Sequence, residues 1–250
     1  MDLTVGSRTD VGPRKMNQDH HGWWPELGLF IVADGMGGHN AGEVASHMAV
    51  EAIHSFIKES ATAPDITWPF GIETKYSIDA NRLTTAVRLA NRKIYQEGTR
   101  SPELSGMGTT VVAVLVSGDR LALASVGDSR IYRMRDGALE QLTRDDTWLA
   151  SVLGEKNADD ADPEHPLRHV LTSVVGTKDD VKPGVREEQL QSGDRFVMCT
   201  DGVHGKLDAQ SVAGVLRGAA SAADGASQLV NEAITRGTSD NATALVINVA

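Results

Sequence analysis

Four apolar runs of this chain meet an aspartate at one end. Asp34 closes LGLFIVA, Asp128 follows RLALASVG, Asp201 follows RFVMCT, and Asp240 stands just before ATALVINV. A charged carboxylate at the rim of a buried strand loses several kcal/mol of hydration unless a cation offsets it. Strands that carry such residues at their tips therefore have to bring those tips either to basic side chains or to metal ions. A fifth aspartate, Asp19 in RKMNQDH, recurs in the same style without an apolar run beside it. Taken singly, each could do no more than start a turn or cap a helix, which Asp-Gly and Asp-Asn do well.

The runs LGLFIV, TTVVAVLVS (109–117), RLALASV (120–126), IYRM (131–134), RFVMCT (195–200) and ATALVINV (242–249) predict strands, several in an antiparallel meander. Gly118-Asp119 and Arg135-Asp136-Gly137 are the turn signals between them. Ala45, Met48, Ala49, Ala52, Ile53, Phe56 and Ile57 form a helical stripe, and Leu83, Val87, Ala90 and Ile94 form a second within about 77–97. Leu229, Val230, Ala233 and Ile234 predict a third helix, ended by Gly237. Strands in meanders with helices in long pairs predict an α+β layered fold rather than a doubly wound parallel sheet. The polar, proline-bearing stretch at about 147–185 is expected to be a surface flap on a single domain spanning 1–250.

Composition narrows the function classes. A formal net charge of −10 and the lack of a Lys/Arg cluster argue against nucleic acid or an anionic membrane as partner. No apolar stretch is long enough to span a bilayer, the start MDLTVGSRTD does not read as a signal peptide, and one cysteine cannot form an intramolecular disulfide. A cytoplasmic monomer is the expectation. Cys199 lacks the arginine six positions on that a cysteine-dependent phosphatase needs, since Gly205 stands there, and it is expected to be a small buried strand residue. There is no Gly-x-Ser-x-Gly elbow and no GxxxxGK[ST] loop. The histidines outside the DGMGGH stretch make no HExxH; His204, close in sequence to Asp201, is expected at the surface, with lining the cleft as the alternative. What remains is a set of hard oxygen donors, which suits Mg²⁺ or Mn²⁺. The glycines after Asp34 and Asp201 would let a carbonyl or a water approach the same ion.

RKMNQD, DGMGGH, GTT, VGDSR, TDGV and SDNAT occur in this order along nearly the whole chain. Together they resemble the metal-dependent (PPM, type 2C) protein serine/threonine phosphatases, most closely the bacterial members. The resemblance implies a sandwich of two antiparallel β-sheets flanked by pairs of α-helices. It implies two Mn²⁺ or Mg²⁺ ions, with Asp34 bridging them, the Gly35 carbonyl on one, and Asp201 and Asp240 completing the site. Asp19 would stand near the metals through water, and Asp128 with Asp201 would take a third, weaker ion. Arg14 falls at the phosphate-binding arginine, where a planar guanidinium grips two phosphoryl oxygens. The implied reaction is hydrolysis of phosphoserine and phosphothreonine by direct attack of a metal-bridging water or hydroxide, on phosphoproteins made by a cognate bacterial Ser/Thr kinase.

Two departures from the family pattern stand out. Gln18 occupies the position where many relatives have Glu, which removes one negative charge. The histidine sits at His39 rather than directly after Asp-Gly, leaving open whether it donates a proton to the leaving oxygen, begins a helix or touches the phosphopeptide. Two rival functions remain: a catalytically weak regulator that binds phosphopeptide or metal, and a phosphatase for small phosphate esters.

Overall fold

The computed structural model describes residues 1–38, 41–62, 67–154, 167 and 170–250. One antiparallel sheet has the order β1 (Leu3–Asp10), β11 (Ala242–Val249), β10 (Arg195–Cys199), β7 (Arg130–Arg135), β8 (Ala138–Gln141). The other runs β2 (Asp19–Trp24), β3 (Leu29–Met36), β5 (Val111–Ser117), β6 (Arg120–Val126), β9 (Gly184–Gln189), and the two-residue β4 (Gly108–Thr109) pairs with the end of β3.

The long apolar strands are apolar throughout because both of their faces are covered. Along β3, Leu29, Ile31 and Ala33 face α1 (Ala41–Thr62) and α2 (Ile78–Arg100), while Phe30 and Val32 face the opposite sheet. Along β11, Ala244 and Val246 belong to the helix-facing layer and Leu245 and Ile247 to the layer between the sheets. The outer helices there are α5 (Ala209–Gly218) and α6 (Ala222–Thr235), which follow the short α3 (Trp148–Leu153) and α4 (Asp201–His204). Three apolar layers thus alternate with four layers of secondary structure, which is the α+β sandwich expected.

Local chemistry sets the joints. Asp136 and Gly137, both at positive φ, form the two-residue turn between β7 and β8, as a primed hairpin turn requires. Ser77 Oγ accepts from Ala80 N at 3.2 Å and caps α2. The helical stripes fall where the periodicity puts them: Ala45, Ala49, Ile53, Leu83, Val87, Ala90 and Ile94 have no exposed surface. Cys199 is likewise fully buried in β10, and burial pushes its thiol up to about 12. Of adjacent Trp23 and Trp24, the first is exposed and the second packs on the α1 side and stacks on His54. Within the stretch read as a flap, the described residues include α3, a bridge of Val175 to Thr109, and the start of β9, which is part of the main sheet. No helix among the described residues is long and apolar enough to cross a membrane.

Candidate metal centre

Strand register places the first two carboxylates. Asp19 opens β2 directly opposite Asp34 near the end of β3. The loop after β6 delivers Asp128, the turn from β10 into α4 delivers Asp201, and the approach to β11 delivers Asp240. These segments converge at one end of the sandwich, where the negative charges of Asp19, Asp201, Asp128 and Asp240 all bear on Asp34.

The consequence is a protonation pattern far from that of free carboxylates. Asp34 keeps some surface open to the cleft, yet lies deep among protein atoms; burial first, then its four acidic neighbours, raises its pKa well above the usual value. Burial and the charges of Asp201 and Asp240 push Asp19 up to about 7, against hydrogen bonds from Thr243 and Thr200. Asp128 is pushed up to about 8 by burial and by Asp201 and Asp145. Like charges crowded so strongly are the electrostatic signature of a place where cations belong.

Two further observations test the fit of a divalent ion. Asp19 Oδ2 accepts from Thr200 Oγ1 at 2.9 Å and Thr243 Oγ1 at 2.6 Å, while Oδ1 is buried and makes no hydrogen bond. An orphaned carboxylate oxygen at a site of shared negative charge fits a cation or its water shell. Gly35 is the second: a Cβ there would stand 2.0 Å from the Gly42 carbonyl oxygen and 2.7 Å from that of Gln18, so only glycine lets α1 begin against the Asp34 turn. Among the described residues no three His, Cys, Asp or Glu side chains close into a compact ligand cage. Mg²⁺ and Mn²⁺ keep several waters in their shells, so such ions do not require a closed cage of side chains.

The side chains that fix these aspartates were not singled out from the sequence. Asn241 is a clasp: its Oδ1 accepts from Gln18 N at 2.8 Å, and its Nδ2 donates to the carbonyls of Val11 and Met16. Thr110 Oγ1 accepts from Asp34 N, and Thr109 Oγ1 donates to the Asp34 carbonyl at 2.8 Å. Arg130 grips Asp145 with both Nε and Nη2, and Asp146 bonds Gly127 through its carboxylate and its N–H. These ties hold the Asp128 loop from behind. Adjacency in CTDG, SDNAT and GTT is the only signal the sequence carried for the threonines and Asn241.

Arg14 reaches the site from the loop after β1. Its Nη2 donates to Asp240 Oδ2 at 2.6 Å and its Nε to the Ser239 carbonyl at 2.9 Å, with 52% of the side chain exposed. The Gln18 side chain lies against Gly42 in the first turn of α1. His204 takes the less favoured of its two expected placements: it is half-buried rather than at the surface, and its Nε2 is 2.9 Å from the Asp128 carbonyl oxygen. His39 falls outside the described residues.

Two antiparallel sheets between helix pairs, with hard oxygen donors gathered where strand ends meet, define a metal-site sandwich of the phosphatase type. The chain belongs to the protein phosphatase 2C family, whose model matches residues 12–236. It is 32% identical over 248 residues to the serine/threonine protein phosphatase PstP of Mycobacterium tuberculosis, covering 99% of this chain and 45% of that protein, so it spans about half the length of that relative. It is 32% identical to the serine/threonine phosphatase stp of Listeria welshimeri over 96% of this chain and 93% of that one. The solved catalytic domain of PstP in complex with two manganese ions superposes with a TM-score of 0.82 at 31% identity over 99% of both chains.

Proposed function

We propose that this chain is a metal-dependent hydrolase of phosphoserine and phosphothreonine in proteins, acting as a cytoplasmic monomer against a Ser/Thr kinase in the same cell. The observation that carries it is the convergence of Asp19, Asp34, Asp128, Asp201 and Asp240 on one acidic cleft with an unsatisfied carboxylate oxygen in it. Asp34, the Gly35 carbonyl, Asp201 and Asp240 would hold two Mn²⁺ or Mg²⁺ ions, with Asp19 behind them, and Asp128 with Asp201 would take a third. Bound there, divalent ions bring the pKa of water close to neutrality and offset the charge of a phosphoryl group.

The chain's own residues supply the rest. Thr200 and Thr243 hold one oxygen of Asp19 in place and leave the other buried without a hydrogen-bond partner. Arg14, anchored at the rim on Ser239 and Asp240, presents a half-exposed guanidinium that can orient phosphoryl oxygens for in-line attack. His39 would be one source of the proton for the leaving oxygen, its alternative roles being a helix start or a phosphopeptide contact. His204 and the Arg130–Asp145 pair keep the Asp128 loop in register.

The test is turnover of phosphothreonine peptides and of p-nitrophenyl phosphate with Mn²⁺, with Mg²⁺ and with a chelator. Metal-dependent hydrolysis of the peptides is expected. Hydrolysis of the small ester alone would move the substrate to small phosphate esters. Silence toward both would leave a binding protein.

A further inference from the structure

Four hydrogen bonds close into a ring on Asp19. Its N–H donates to Asn17 Oδ1 at 3.1 Å, and Asn17 Nδ2 donates to Thr9 Oγ1 at 2.8 Å. The hydroxyls of Thr9 and Thr243 stand 2.7 Å apart, and Thr243 Oγ1 donates to Asp19 Oδ2 at 2.6 Å. Outside the ring, Thr200 Oγ1 accepts from Thr243 N at 3.0 Å and donates to the same Oδ2.

With the carboxylate ionised, one direction of donation satisfies every member. The amide nitrogen of Asn17 can only donate, and each threonine hydroxyl has a single proton. Thr243 commits its proton to Asp19, so the Thr9 hydroxyl turns toward Thr243 and takes Asn17 as its own donor. Donors fed in series in this way polarise one another. Thr243 is fully buried and Asp19 nearly so, which keeps water from competing for the last bond.

The local fold has other supports. Backbone pairing joins β1 to β11 from Leu3–Val249 to Asp10–Ala242, with Thr9 directly opposite Thr243, and Asn241 holds the carbonyls of Val11 and Met16. What the hydroxyls add is a link from one sheet to a carboxylate on the other. Asp19 Oδ2 thereby has two donors while Oδ1 has none, and turning the carboxylate would break both bonds.

We propose that Thr9 and Asn17 are positioning residues of the metal centre, which act through Thr243 to hold the Asp19 carboxylate at the rotation that reserves Oδ1 for a divalent ion or its water. The proposal rests on the phosphatase reading above and deepens its metal site.

Valine replaces threonine with a branched side chain that lacks the hydroxyl, and serine keeps the hydroxyl. Thr9→Val, Thr9→Ser, Thr243→Val and the double valine variant are compared with wild type by Mn²⁺ titration calorimetry, by turnover of a phosphothreonine peptide and by melting in chelator. Thr9→Val is expected to weaken Mn²⁺ binding about tenfold and to lower kcat by a similar factor. Its KM for the peptide and its melting temperature in chelator are expected to stay close to wild type, because Arg14 lies outside the ring and the strand ladder is untouched. Thr9→Ser is expected to recover both losses. The double variant is expected to lose no more than Thr243→Val, because the two hydroxyls act along one path.

Wild-type Mn²⁺ affinity in Thr9→Val overturns the assignment. So does an equal loss in Thr9→Ser, a loss that adds up in the double variant, or a large drop in the chelator melt of Thr9→Val, each of which marks packing rather than the hydroxyl chain. A wild type that binds Mn²⁺ but turns over no phosphorylated substrate overturns the phosphatase reading alone, and the titrations still decide the ring.

Discussion

Asp34 shows how one side chain answers to the whole site. Its carboxylate is held by burial and four acidic neighbours in a state that favours a proton when no cation is at hand. Asp34→Asn keeps the shape and removes the charge. Turnover is expected to fall by about 10³-fold or more, since the charge that would hold the ions is lost. The same change is expected to raise the melting temperature measured in chelator, because a source of like-charge repulsion has gone. Calorimetry and a phosphatase assay on one preparation check both; full activity in the variant removes Asp34 from the metal set. Arg14 behaves differently because its guanidinium already holds Asp240 Oδ2. Arg14→Ala is expected to raise KM for phosphopeptide about tenfold or more, while Mn²⁺ affinity by titration calorimetry holds or tightens. A KM that stays constant while Mn²⁺ affinity falls would make Arg14 a structural residue.

At the scale of elements, the site depends on how closely α1 can begin against the end of β3. Gly35→Ala would drive a methyl group to 2.0 Å from the Gly42 carbonyl, whereas a Cβ at Gly38 meets nothing within 4 Å. The first change is expected to cost about 2–3 kcal/mol and to weaken Mn²⁺ binding, the second to be close to neutral, as denaturant melts would show. Equal effects would mean that the contact is not limiting. The elements legible in the sequence are those buried on both faces: β3, β5, β10 and β11 read as unbroken apolar runs because helices cover one side and a sheet the other. The edge strands β2 and β9 were not legible: they read DHHGWW and GVREEQ, because β2 opens on Asp19 of the metal centre and ion pairs claim Arg186 and Glu188 of β9. The same logic divides the site. Aspartates at strand tips stand out against apolar neighbours, whereas Thr200, Thr243 and Asn241 carry no periodicity, and their work appears only once distant segments meet.

For the whole molecule, the crowded carboxylates make stability, pH and metal one coupled problem. In the folded chain Asp19 titrates at about 7 and Asp128 at about 8, against 3.8 for each when exposed. A carboxylate with a raised folded pKa stabilises the fold below the unfolded value and withdraws that support as pH rises through the folded one. In chelator, the melting temperature is therefore expected to fall between about pH 5 and pH 8. Groups shifted the other way, such as Asp180 and Asp208, are exposed, so solvent screening leaves them little weight. Divalent cations reverse the slope, because they compete with protons for the same oxygens and bind more tightly as the protons leave. At a hundredfold excess over Kd they add about 2.7 kcal/mol, or roughly 5–10 °C for a chain of this size. Melting curves in Mn²⁺ and in chelator should accordingly lie nearly together at pH 5 and diverge toward pH 8, and in Asp34→Asn the divergence should shrink. A gap that stays constant across this range would mean that the cation binds away from the carboxylates, and the acidic cleft would then need another explanation.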